Sequence, residues 1–199
     1  MSDKPYAQSC DQNCAPILEI LKLYLSTSKS LLEIGSGTGQ HALYFAKNFP
    51  NLIWHSSDQQ QYHEGINLWL AEANADNIIA PIALNVNQKE WPEQRFDAIF
   101  TANSLHIMSW SSVQALFSKI TDVLAEDALF IVYGPFNYNG QYTSESNQQF
   151  DQWLAQQHPE SAIRDFEALQ KLAKNAHLNL INDHQMPANN RVLVWQKSI

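Results

Sequence analysis

Residues 31–40 read Leu31-Leu32-Glu33-Ile34-Gly35-Ser36-Gly37-Thr38-Gly39-Gln40. The run from Ser30 to Ile34 has the length and apolar character of a short buried strand, and it stops at Gly35. Gly39 to Asn48 follows with a helical pattern closed off by Pro50. A glycine-rich turn in that context lets the main chain approach a ligand closely and adopt positive φ without steric cost. The helix that it opens presents unpaired N–H groups to a carboxylate or phosphate. Spacing narrows the choice of ligand. A dinucleotide fingerprint, G-x-G-x-x-G/A, needs its third small residue at position 40. That position holds Gln40, which argues against a nicotinamide-dependent oxidoreductase. A turn that merely packs strand on helix stays open as the plain alternative.

The pattern on either side of the turn alternates strand and helix. Residues 14–25 place Ile17, Leu18, Leu21 and Leu25 on one helical face. Strand-like runs follow at 52–56, 78–84, 96–101 and 128–133, separated by helical patterns at 62–73 and 113–124. Pro81 suits an edge strand, because it has no N–H for a ladder. After a loop over 134–146 come helices at 147–157 and 165–176, then two runs, 178–184 and 191–196. The short link between those runs fits an antiparallel hairpin and not a crossover. The expected fold is therefore α/β: a doubly wound, mostly parallel, seven-stranded Rossmann-like sheet with a C-terminal antiparallel hairpin. The 199 residues fit one domain over 1–199. Residues 1–29 would form an N-terminal helical cap and 134–176 a substrate-side loop with helices.

Glu33 before G-x-G-x-G resembles motif I of class I S-adenosylmethionine (SAM) methyltransferases. Asp58 lies at the end of the next strand-like run, where a carboxylate can accept from paired ribose hydroxyls. Gln59 stands beside it. Asn85 follows the third strand; its amide oxygen can accept from an adenine amino group while the Val86 N–H donates to the ring, or it is an ordinary turn residue. The cofactor-binding set is thus Glu33, Gly35, Ser36, Gly37, Gly39, Asp58, Gln59, Asn85, Val86 and Asn103.

A narrower resemblance runs from residue 13 to 191. Its strings are Asn13-x-x-Pro16-Ile17-Leu18, Gly39-Gln40-His41 after the turn, Ser57-Asp58, Asn103-x-x-His106, Tyr133-Gly134-Pro135-Phe136-Asn137, Thr143-Ser144-Glu145-Ser146-Asn147, Ile163-Arg164-Asp165 and Met186-Pro187-Ala188-Asn189-Asn190-Arg191. Together they resemble the DUF938, or methyltransferase-like 26, family. Two positions depart from that pattern: Gln12 stands where the family carries Arg, and Asn85 where it carries Asp. The resemblance implies a class I fold using SAM and releasing S-adenosylhomocysteine. It implies no substrate.

In doubly wound sheets ligands bind beyond the carboxyl ends of the strands. Asn103–His106 and Gly134–Asn137 should therefore flank the reacting centre. His106 is the candidate base, since an unperturbed imidazole titrates near ~6.5; substrate positioning and a plain loop contact are its other readings. Tyr133 is a second catalytic candidate, against strand-end packing. Candidate substrate contacts are Asn13, His106, Phe136, Asn137, Ser144, Asn147, Asn189, Asn190 and Arg191, with local capping as the bland alternative for the polar ones. Arg164 and Arg191 suit either an anion clamp or a structural ion pair. The alternative to turnover is a non-catalytic SAM-binding or interaction module.

Composition sets the remaining bounds. A net charge of −8 repels phosphate backbones and disfavours nucleic acid. Charged residues make up only 16%, and 17 Asn and 18 Gln fill much of the gap with neutral polar groups. The expected partner is a small molecule. No apolar run reaches the ~18 residues of a membrane span. The first dozen residues carry no secretory pattern, and a cytoplasmic address is the default. Cys10 and Cys14 supply at most half of a zinc site, and the histidines show no ligand spacing, so no metal is expected.

Overall fold

Along Leu124–Gly134 and Arg191–Lys197 of the computed structural model, alternate side chains fall into two different cores, and that alternation explains the layers. The structure describes residues 4–73 and 76–198. In chain order the elements are α1 (Gln8–Tyr24), β1 (Ser30–Ile34), α2 (Gln40–Asn48), β2 (Ile53–Asp58), α3 (His63–Leu70), β3 (Ile78–Ala83), β4 (Phe96–Ala102) and α4 (Trp110–Val123). They continue with β5 (Leu124–Gly134), β6 (Phe136–Asn137), α5 (Glu145–Gln157), β7 (Arg164–Asp165), α6 (Phe166–Asn175), β8 (Leu178–Gln185) and β9 (Arg191–Lys197).

Seven strands form one sheet in the order β3-β2-β1-β4-β5-β9-β8. All neighbours are parallel except β5–β9 and β9–β8, which make the antiparallel tail. Phe130, Val132, Leu193 and Trp195 face one core, against Leu116, Phe117 and Ile120 of α4 and Leu169 and Ala173 of α6. Ile131, Val192 and Val194 face the other, against Ile17, Leu18 and Leu21 of α1 and Ala42 and Phe45 of α2. Side chains that alternate between two buried faces require helices on both sides of the sheet. Pro81 lies in β3, an edge strand, where its missing N–H breaks no ladder.

Three boundaries differ from the sequence reading. α1 begins at Gln8 and not near residue 14, because the polar turn before Pro16 docks on the protein. β5 starts at Leu124, so α4 passes into it without a loop. The stretch after Gly134 contains β6, which pairs in parallel with β7 as a separate two-stranded sheet. A two-residue strand has no periodicity by which sequence could announce it. No helix among the described residues is long and apolar enough to cross a membrane.

Side chains finish what the ladders leave open. Ser109, Ser144 and Asp165 cap α4, α5 and α6 by accepting from the N–H groups of Ser112, Asn147 and Ala168. At the other end of α2, Asn77 Nδ2 reaches the carbonyls of Ala46, Phe49 and Leu52 at 3.0, 2.9 and 2.9 Å. The Ala46 and Phe49 carbonyls also accept from Phe49 N and Leu52 N at 3.2 and 3.0 Å, so Asn77 adds a second donor at each and bridges the helix end to Leu52. Asn77→Ala is therefore expected to lower unfolding free energy by about 1–2 kcal/mol, the scale of one or two lost hydrogen bonds. Urea denaturation measures it, with Asn179→Ala, at an exposed β8 position, expected to stay within about 0.5 kcal/mol of wild type.

Candidate active site

The strand order turns back between β1 and β4, so their carboxyl ends diverge and leave a crevice. A cleft of about 680 Å³ lies there, within the range of ordinary small-molecule sites. Main-chain bonds stitch the glycine turn to the end of β2 beneath it. Gly35 N and Ser36 N both donate to the Ser57 carbonyl at 3.0 Å, and Gly37 N donates to Asp58 Oδ2 at 2.8 Å. Each glycine has its own reason. A Cβ on Gly35 would come 2.6 Å from Ser104 Oγ, and one on Gly39 would come 3.0 Å from the Ile66 Cα. Gly37 has nothing within 4 Å of that position, so its main chain lies open on the cleft side of the turn, with φ of +57°.

Eight of the ten expected cofactor residues line the cleft: Gly35, Ser36, Gly37, Asp58, Gln59, Asn85, Val86 and Asn103. Asp58 accepts one main-chain N–H on each oxygen, from Gly37 at 2.8 Å and Gln59 at 2.7 Å. A carboxylate oxygen has a second lone pair, so both remain able to accept from a diol. Burial raises the Asp58 pKa, and the two N–H donors oppose that rise. Asn85 Oδ1 accepts from Asn87 N at 3.0 Å, an Asx turn that also keeps the residue on the wall. Asn103 holds φ of +56° and donates its N–H to the Tyr133 carbonyl at 2.9 Å, which fixes the bend after β4.

Glu33 and Gly39 sit behind that wall. Glu33 is fully buried and its Oε2 accepts from Ser36 Oγ and Trp54 Nε1, both at 3.0 Å. Loss of hydration pushes its pKa up to about 7, against the pull of those two donors. Its carboxyl therefore holds the turn from below.

The expected acceptor residues fall into two groups apart from the cleft lining. Asn13 Oδ1 pairs with His41 Nε2 at 2.6 Å, so α1 and α2 are tied together. His41, stacked on Phe45, lines the cleft, and burial lowers its pKa to about 4. His106 is buried edge-on against Phe150, with its pKa lowered to about 4 by burial and by the Arg164 charge. Phe136 is core. Asn137 Oδ1 is buried and accepts no hydrogen bond among the described residues. Ser144 caps α5, and Asn147 Nδ2 donates to Thr143 Oγ1 and to the Asn189 carbonyl. Asn189 returns a bond to Ser146, Asn190 donates to Pro187 and Ala188 carbonyls, and Arg191 pairs with Asp183 at 2.7 Å. These residues bind the β8–β9 turn to the start of α5. Arg164 is no anion clamp: its guanidinium donates to the carbonyls of Leu105, Met108 and Glu160.

The sequence reading missed Ala7, Ser9 and Cys10, which also line the cleft, along with Tyr62, Ile107 and Met108. No spacing rule links residues 7–10 to a turn thirty positions later.

Solved structures similar to this chain carry the same architecture. An O-methyltransferase family protein from Burkholderia thailandensis matches with a TM-score of 0.84 at 9% identity, over 96% of this chain and 57% of that one. Human N-acetylserotonin methyltransferase, solved in complex with SAM, matches at 0.82 and 14%, over 96% and 53%. The SAM-dependent methyltransferase SibL, in its apo form, matches at 0.81 and 17%, over 96% and 56%. The chain spans somewhat more than half the length of each. Strand order, antiparallel tail and these likenesses together define a class I methyltransferase fold. Within it the chain belongs to the DUF938 family, described as a protein of unknown function, whose profile matches residues 4–197.

Glu33 gives this site a pH signature. Its ordinary value of 4.5 rises to about 7 on folding. The folded state then holds a proton that the unfolded chain has lost, so the Glu33 contribution is full below pH 4.5 and is lost as pH climbs through 7. Glu33→Gln keeps an acceptor for Ser36 and Trp54 without the titration. Its stability relative to wild type is expected to rise between pH 5 and 8, by about 3 kcal/mol at most. Melts across that range test this; a constant difference would mean the carboxyl ionises normally.

Proposed function

We propose that this protein transfers a methyl group from SAM to a small-molecule acceptor and releases S-adenosylhomocysteine. The observation that carries the reading is the convergence of an open Gly37 main chain and a doubly anchored Asp58 on one cleft. Asp58 accepts the ribose hydroxyls through its free lone pairs. The turn from Gly35 to Gly39 cradles the methionine portion, with Glu33 bracing it from behind. Asn85 and the Val86 N–H meet the adenine, and Asn103 borders the sulfonium. The chemistry supplied by the cofactor is a methyl carbon on a positively charged sulfur, open to in-line displacement by an acceptor lone pair.

For such a displacement the protein's task is largely alignment and exclusion of water. A base is needed only when the acceptor carries a proton that must leave. His106 stays neutral at pH 7 and is a weak base at about 4. It and Tyr133 are buried outside the cleft lining, so their part in this reading is to hold the loop after β4 and the end of β5 in place, not to take a proton from the acceptor. The net charge of −8 and the titratable groups of the wall, chiefly Asp58, favour a cationic cofactor over a phosphate-rich one.

A binding-only module is the rival reading, favoured by how few ionisable groups line the cleft. Transfer of label from radioactive SAM to small molecules of a cell extract separates the two. Isothermal titration tests what they share. Wild-type protein is expected to bind SAM and S-adenosylhomocysteine, and Asp58→Ala to bind at least about tenfold more weakly, as befits lost bonds to a charged acceptor. Circular dichroism checks that the variant is folded. No heat from folded wild-type protein at millimolar ligand would end both readings.

A further inference from the structure

Gln40, the residue that breaks the dinucleotide spacing, has both ends of its amide hydrogen-bonded. Its Oε1 accepts from the Ala7 N–H at 2.6 Å and from Thr38 Oγ1 at 3.0 Å. Its Nε2 donates to Asp11 Oδ1 at 2.9 Å, and the other oxygen of Asp11 accepts from the Tyr6 hydroxyl at 2.6 Å. Gln40 is only 4% exposed. Asp11 is exposed and Ala7 half-buried, so these bonds are part-buried, and the one to the Asp11 carboxylate is charge-assisted.

The segment that Gln40 holds is anchored a second time on α3. Trp69 Nε1 donates to the Pro5 carbonyl at 2.6 Å. The Lys4 ammonium lies 3.3 Å from the centre of the Trp69 ring and 2.6 Å from Glu72. A Cβ on Gly65 would come 2.6 Å from Pro5 Cγ, so α3 carries a glycine where the segment crosses it. Between these anchors Ala7 joins Ser9 and Cys10 at the start of α1 on the wall of the cleft. Residues 4–11 thus form a strap from α3 to the N-terminus of α2, fixed at both ends and facing the cleft in between.

We infer that Gln40 is a positioning residue that clips this strap onto the cofactor site, so that bound cofactor leaves only when the clip opens. The inference rests on the cofactor reading above and adds to it a wall and a rate. The glycine turn and Asp58 supply affinity, and the strap sets the dwell time. Opening releases only the first turn of α1, since Ile17, Leu18 and Leu21 further along remain in the core.

Two measurements on the full chain test this. In ligand-free protein, hydrogen exchange at the Ala7 amide is expected to be slow in wild type and fast in Gln40→Ala. Dissociation of tritiated SAM, chased with excess unlabelled S-adenosylhomocysteine, is expected to be about tenfold faster in that variant, the scale of one or two lost hydrogen bonds of which one is charge-assisted. Gln40→Glu sets two carboxylates against each other and is expected to behave like Gln40→Ala. Adding Asp11→Asn to Gln40→Glu reverses the bond: the amide now at position 11 donates to the carboxylate now at position 40, while its oxygen still accepts from Tyr6. Dissociation is then expected to return to near the wild-type rate. A structural defect would not be repaired in that way. Equal dissociation rates in wild type and Gln40→Ala, or an Ala7 amide that exchanges freely in wild type, would overturn the inference. A protected strap on a protein that retains no SAM would instead remove the cofactor reading, and the dwell-time role with it.

Discussion

The stitching of the glycine turn to the end of β2 is the constraint on which the rest depends. Five bonds run between two short peptides. The Ser57 carbonyl receives Gly35 N and Ser36 N, the Ser57 N–H donates to Ser36 Oγ at 3.1 Å, the Ser57 hydroxyl donates to the Glu33 carbonyl at 2.6 Å, and Gly37 N reaches Asp58. On the other side Thr101 Oγ1 donates to the Ile34 carbonyl at 2.7 Å and holds β4 against β1 where the strand order turns. The turn therefore cannot drift relative to either neighbour. Asp58 is aimed by that geometry, and so is the first turn of α2. A buried polar network of this kind specifies one arrangement only because nearly every member is satisfied.

Burial shifts the titratable groups around the turn towards their neutral forms, and at Asp58 two main-chain N–H donors oppose that shift. Glu33 is pushed up towards neutrality, while His41 and His106 are pushed down and stay uncharged at pH 7. Their effects on stability have opposite signs. The Glu33 contribution falls as pH rises from 4.5 to 7, and those of the histidines fall as pH drops from 6.5 towards 4. Asp58, at the cleft, is the carboxylate whose lone pairs remain available. A low-dielectric wall with a well-placed charge concentrates that charge's field on whatever enters.

The fold is legible because it is written in period and length. Short apolar runs such as 128–133 and 191–196, set between helical patterns, require a covered parallel sheet and a closing hairpin. The G-x-G-x-G spacing and the position of Asp58 after the second strand are legible for the same reason, since both sit at fixed places in a βαβ unit. What stays hidden depends on contacts distant in sequence. Glu33 lies in the motif, but only Trp54 and Ser36 reveal that it is a brace. Arg164 invites an anion and instead gathers three carbonyls. The asparagines at 147, 189 and 190 suggest substrate contacts by composition and loop position, and the structure has them tying one loop to another.

That last tie changes how the outer lobe is to be understood. The loop after β4 forms one wall of the cleft through Asn103, Ser104, Ile107 and Met108. It is held from outside by the segment between α5 and β7: Ser161 Oγ donates to the Ile107 carbonyl at 2.8 Å, Ala162 N to the His106 carbonyl at 3.0 Å, and Arg164 to Leu105 and Met108. Asp151 of α5 in turn accepts from Ile163 N at 2.6 Å and from the Tyr142 hydroxyl at 2.7 Å. The residues between β5 and β8 thus form a buttress in which each loop is the hydrogen-bond partner of the next. Most of these bonds end on main-chain groups, and only Arg164 and Asp151 bring charge to them. Two ionisable side chains thereby each fix more than one point at once, which is how the outer wall of the cleft keeps its shape.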